Sequence, residues 1–133
     1  MGLDMYLSGE IYLVTDWENP KNNLTEDGYR VKGRELEIGY WRKHPDLHGY
    51  IVHRFADGED RCQRIDLSPS DIGEIITAIQ SNLLPKTNGF FFGESENDTG
   101  QKNEAITIFQ KALKWLTTPV EGQWRSVAYQ ASW

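Results

Sequence analysis

"IGYWRKHPDLHGYIVHRF", residues 38–55, decides how the chain is read, because two periodicities meet inside it. In "RELEIGYW", residues 34–41, Leu36, Ile38 and Tyr40 alternate with Glu35, Glu37 and Trp41, the two-residue repeat of a strand. Beyond Pro45 the repeat lengthens: Leu47, Ile51 and Phe55 recur every four residues, with His48 and Val52 beside them. Pro45 suits a first helical turn, where its missing N–H loses no hydrogen bond. A helix over 45–56 is expected, weakened by Gly49.

The same stretch holds all three histidines of the chain. His44 and His48, four apart, would share a helix face and offer a divalent metal two ligands, with Asp46 or His53 as a poor third. Two arguments oppose that. Pro45 pushes residue 44 out of helical geometry, and His53 points about 140° around the helix from His48. No metal and no cofactor is expected, and His48 is the one candidate for acid-base chemistry. Just upstream, Tyr40, Trp41, Arg42 and Lys43 join two aromatic rings to two cations at a strand end, a combination that holds anionic ligands by stacking and charge. With Arg54, Arg61 and Arg64 they make residues 42–64 the most basic part of the chain.

Toward the N-terminus, "LDMYLSGEIYLV" alternates as a strand with a turn or bulge at Ser8-Gly9. Residues 16–33, rich in Asn, Asp and Gly, read as a long polar loop, and a loop of that length is a candidate for recognition. Toward the C-terminus, "RCQRIDL" (61–67) reads as a short strand. "SPSDIGEIITAIQSNLL" (68–84) is the clearest helix: Ser68 as N-cap, Pro69 first, Asp71 near the positive helix end, then Ile72, Ile75, Ile76, Ile79 and Leu83 on one stripe, stopped by Pro85. "NGFFFGE" suggests a strand at Phe90–Phe92, and "ESENDTGQKN" a polar loop. Ile106, Phe109, Ala112 or Leu113, and Leu116 mark a last helix, and "QWRSVAYQASW" a final strand with Arg125, Val127, Tyr129 and Ala131 on one face. Strands interleaved with three amphipathic helices indicate a single α+β domain over 1–133, mainly antiparallel sheet with helices packed on one face.

The 133 residues, 38% hydrophobic and 12% aromatic, are globular in composition, with enough chain for one core. A net charge of −6 disfavours direct contact with nucleic acid. No apolar run approaches the roughly 20 residues of a membrane span, so no membrane contact is expected. The lone Cys62 excludes an internal disulfide and fits a reducing compartment. No phosphate-binding loop, zinc-protease helix or nucleophile elbow is present.

Four motifs, "GLDMYL" at the start, "YWRK" before a helix, "GFFFG", and the terminal "YQASW", occur here in an order that resembles a family of small bacteriophage and prophage proteins. The resemblance spans nearly the whole chain. It implies an accessory protein acting in the host cytoplasm on host components, and it supplies no catalytic residue. Of the three histidines, only His48 fits the pattern. The expectation is therefore a non-enzymatic binder of a host protein or a small anionic ligand, with Tyr40, Trp41, Arg42 and Lys43 as the binding set. The alternative is a small hydrolytic or nucleotide-modifying enzyme using His48 with a carboxylate such as Asp46 or Asp66. A homo-oligomer is also conceivable, with the terminal strand adding to a neighbour's sheet.

Overall fold

Alternation along β1 (Asp4–Leu13) sorts its side chains onto two faces, with Met5 and Leu7 fully buried and Tyr6 and Tyr12 exposed. The computed structural model of the chain describes residues 2–42, 44–84 and 99–133. β1 pairs antiparallel on one side with β4 (Gly33–Arg42) and on the other with β6 (Gln123–Ser132), and β6 in turn carries the short β5 (Ile65–Leu67). The sheet order is β4-β1-β6-β5. Helices α1 (Pro45–Phe55), α2 (Pro69–Gln80) and α3 (Thr99–Thr117) all bury their apolar stripes against one face of this sheet. Leu47, Ile51, Ile72, Ile75, Ile79 and Phe109 join Leu3, Met5, Leu7, Val127 and Tyr129 in a single core. The α+β architecture with helices on one face is as the periodicity implied.

Local sequence explains the elements. Ser68 caps α2 through a complete capping box, its hydroxyl accepting from the Asp71 amide while the Asp71 carboxylate accepts from the Ser68 amide. Pro45 opens α1 behind a non-helical His44, as proline geometry requires. Two glycines let α3 approach the sheet. A Cβ on Gly9 would lie 2.9 Å from the Trp115 ring, and one on Gly39 only 2.5 Å from Ile108 Cγ2. The register slips between Leu7 and Ser8, leaving Ile38 as an extra residue in β4. This bulge lies one position from the expected turn at Ser8-Gly9, and on the partner strand. It also inverts the face assignment of β4: Tyr40 shares a face with Glu37 and Glu35, and Ile38 with neither.

Several expectations are corrected. Residues 16–33 form an organised excursion rather than a bare loop, with a 3-10 turn at Pro20–Asn22 and a small hairpin of β2 (Thr25–Glu26) and β3 (Tyr29–Arg30). Asp27 and Gly28, both at positive φ, make the tight turn that an Asp-Gly pair favours. Asp16 braces the approach, accepting from the amides of Glu18 and Asn19 and from Asn22 Nδ2. Only Ile65–Leu67 of the expected 61–67 strand pairs, because Cys62 turns the chain at φ 56°. α2 ends at Gln80, before Leu83, and α3 starts at Thr99, inside the segment read as polar loop. The terminal strand pairs with β1 along its length and with β5 at Val127, Ala128 and Tyr129. Lys43, Pro85 and the Phe90–Phe92 run lie outside the described residues.

Candidate functional site

The histidines separate sharply by position. His53 is exposed on α1, whereas His44 and His48 are buried at its start. Neither ring nitrogen of His44 meets a hydrogen-bond partner among the described residues, and desolvation pushes its pKa below the usual histidine value. His48, 2% exposed, sits in a polar chain. Its Nε2 lies 2.7 Å from Asp60 Oδ2 and its Nδ1 2.6 Å from the Tyr129 hydroxyl. An ionised carboxylate only accepts, so Nε2 donates to Asp60, and in the tautomer that leaves Nδ1 unprotonated the Tyr129 hydroxyl donates to Nδ1. Trp133 Nε1 donates to the other Asp60 oxygen at 3.2 Å. Burial holds the Tyr129 phenol well above its ordinary pKa, so it stays protonated as the donor this chain requires.

This constellation joins α1, the turn before β5, and the end of β6. Its carboxylate is Asp60, neither of the two proposed from sequence: Asp66 pairs with Arg64 on the opposite sheet face. Spacing along the chain carried no signal for Asp60, Tyr129 or Trp133, which lie 12, 81 and 85 residues from His48 and meet it only through the fold. Among the described residues no group of three metal-ligating side chains gathers.

The expected binding set is divided by the strand itself. Tyr40 faces the open side of the sheet, 5.2 Å ring to ring from Tyr6, and donates a 2.6 Å hydrogen bond to Asp4, which raises its pKa. Trp41 faces inward and stacks on Phe109 at 5.3 Å. Arg42 pairs with Asp4 at 3.1 Å. The other arginines of the basic stretch are likewise matched: Arg54 by Glu74, Arg61 by Glu59, and Arg64 by Glu10 and Asp66. The arginines of residues 42–64 are thus met by carboxylates, Glu59 within the stretch and Asp4, Glu10, Asp66 and Glu74 outside it.

What remains is the sheet face opposite the helices. Along it run Tyr6 and Tyr40 at one end, a cross-strand pair, and Tyr12 and Trp124 at the other, also a cross-strand pair. Trp124 is 71% exposed and Tyr12 56%. Two grooves indent this face. One, of about 540 Å³, is bounded by Tyr6, Ser8, Glu35, Glu37, Cys62 and Gln130. The second, of about 660 Å³, lies between Tyr12, Trp124, Lys32, Arg34, Glu10 and Glu35. Glu35 borders both. Trp17 is 83% exposed and Tyr29 79%. Alternation along β6 sets Trp124 opposite Val127 and Tyr129 without marking it for a role, and the bulge that brings Glu35 and Glu37 beside Tyr6 did not announce its side.

No family model, curated protein or solved structure matches this chain. Among the described residues, no helix is long and apolar enough to cross a membrane.

Proposed function

We propose that this is a non-enzymatic binding protein that recognises a protein partner through the open face of its sheet, in the manner of a phage accessory protein acting on its host. The observation that carries the reading is the Tyr12–Trp124 pair. Two large aromatic side chains stand side by side in water on neighbouring strands, Tyr12 on β1 and Trp124 on β6, where they contribute little to the core. Aromatic anchors of low conformational entropy are what protein interfaces concentrate their binding energy in. Arg42 and Arg64 on this face are engaged with carboxylates, and the buried histidine lies on the other side.

The second reading, a small enzyme using His48, has the 2.7 Å contact to Asp60 in its favour. Against it stand the burial of the ring and the engagement of both nitrogens, which leave it no atom to present to a substrate. The test is affinity capture from a bacterial host with the wild type and with Tyr12→Ala/Trp124→Ala, compared by quantitative mass spectrometry. A protein retained by the wild type and lost from a folded variant is the expected result. Equal retention by both would remove the open face as the binding surface.

A further inference from the structure

We infer that the groove bounded by Tyr6, Glu35 and Glu37 receives an arginine or lysine of the partner, so that the occupant of the open face is a basic polypeptide segment. This rests on the open-face reading and goes on to name the partner's chemistry. The argument starts from charge. Glu10 is neutralised by Arg64 and Asp4 by Arg42, but Glu35 and Glu37 join no salt bridge among the described residues. Glu35 lies directly across from Glu10 in the register, and Arg64 answers the charge of Glu10 alone. A guanidinium or ammonium group entering the groove would answer those of Glu35 and Glu37. The same groove offers the Tyr6 ring, whose face attracts a cation, and the polar ends of Ser8 and Gln130.

Shape then distinguishes a polypeptide from a small free cation. Glu35 borders both this groove and the aromatic one, and from Tyr6 to Tyr12 the strand advances six residues, about 20 Å at the rise of an antiparallel strand. An extended segment of about six residues matches that reach. It would set its basic residue between Glu35 and Glu37 and an apolar one against Tyr12 and Trp124. A second copy of this chain is a poorer occupant, because face-to-face docking would set this acidic groove against its own likeness.

The experiment titrates the 15N-labelled protein with three ten-residue Gly-Ser peptides carrying three arginines, no charge, or three glutamates, and with spermine. The expected result is that only the arginine peptide shifts the amides of Tyr6, Ser8, Glu35, Glu37 and Gln130. Its Kd should weaken at least tenfold in Glu35→Gln/Glu37→Gln and rise with added salt. Equal shifts from all three peptides, or an arginine peptide indifferent to the glutamine substitutions, would overturn the basic-segment inference while leaving the open face as a binding surface. Spermine binding as tightly as the peptide would overturn the polypeptide occupant. An arginine peptide that binds without shifting any open-face amide overturns the inference too. A captured host protein that survives both the glutamine and the Tyr12→Ala/Trp124→Ala substitutions removes both readings together.

Discussion

Tyr129 and Gln130 are neighbours on one strand and belong to different regimes. Tyr129 points into the core, fully buried, and holds a hydrogen bond to His48. Gln130 points to the open groove and donates to the Cys62 carbonyl in partly hydrated surroundings. On the helix side polar groups are few and dry, and those matched, as His48 is by Tyr129 and Asp60, are costly to disturb. On the open side, aromatic and acidic groups stand in water, cheap for the fold and available to a partner. The difference teaches which residues to read for stability and which for function.

The largest expected effect falls on the buried side. Tyr129→Ala removes a fully buried ring and the donor to His48, and should cost about 3–5 kcal/mol by urea denaturation, a large share of the roughly 5–15 kcal/mol that holds a domain folded. Tyr129→Phe keeps the ring and leaves His48 Nδ1 without its donor, at about 1–3 kcal/mol. A cost for the Phe variant close to zero would mean that the His48–Tyr129 contact is geometrically near but energetically empty, and the contrast between the two faces would weaken.

A smaller effect, and one that pH alone can produce, comes from His44. Burial without a partner lowers its folded-state pKa, so the unfolded chain binds the proton more readily. Stability from this group is present above the unfolded value near 6.5 and is lost as pH falls through it toward the lower folded value. Chemical denaturation between pH 7.5 and 5 should show a decline that is shallower in His44→Leu. Identical slopes for the wild type and the variant would show that His44 is not the group responsible.

The legibility of the sequence follows the same division. Helix α2 was readable to its cap because every signal in "SPSDIGEII" is local: the capping box, the proline and the four-residue stripe all act within two turns. β6 was readable because a strand with one dry face alternates. The hairpin of residues 25–30 was signalled by Asp27-Gly28, a pair that the polar composition around it obscured. The sites were less legible because they depend on strands meeting. "YWRK" is contiguous in sequence, yet strand geometry sends Tyr40 and Trp41 to opposite sides. The bulge at Ile38 then decides which residues accompany Tyr40, and a bulge is set by the partner strand as much as by its own residues. Likewise the basic stretch was counted correctly, but its neutralisation by Asp4, Glu10 and Glu74 required the fold.

The smallest effect on stability is expected where the effect on function is greatest. Trp124→Ala and Tyr12→Ala remove large rings whose surroundings are mostly water, so each should change unfolding free energy by no more than about 0.5 kcal/mol. Cross-strand pairing of the two rings sets the size of any excess, since an aromatic pair on a sheet surface contributes roughly 0.2–1 kcal/mol. Measured by urea denaturation beside partner capture, the two variants should stay folded and lose the partner. A cost approaching that of Tyr129→Phe would mean that these rings are covered in the folded protein and serve the fold. A negligible cost with capture lost would place the selective constraint on Trp124 in recognition, because a fold that gains almost nothing from an exposed tryptophan has no reason of its own to keep one.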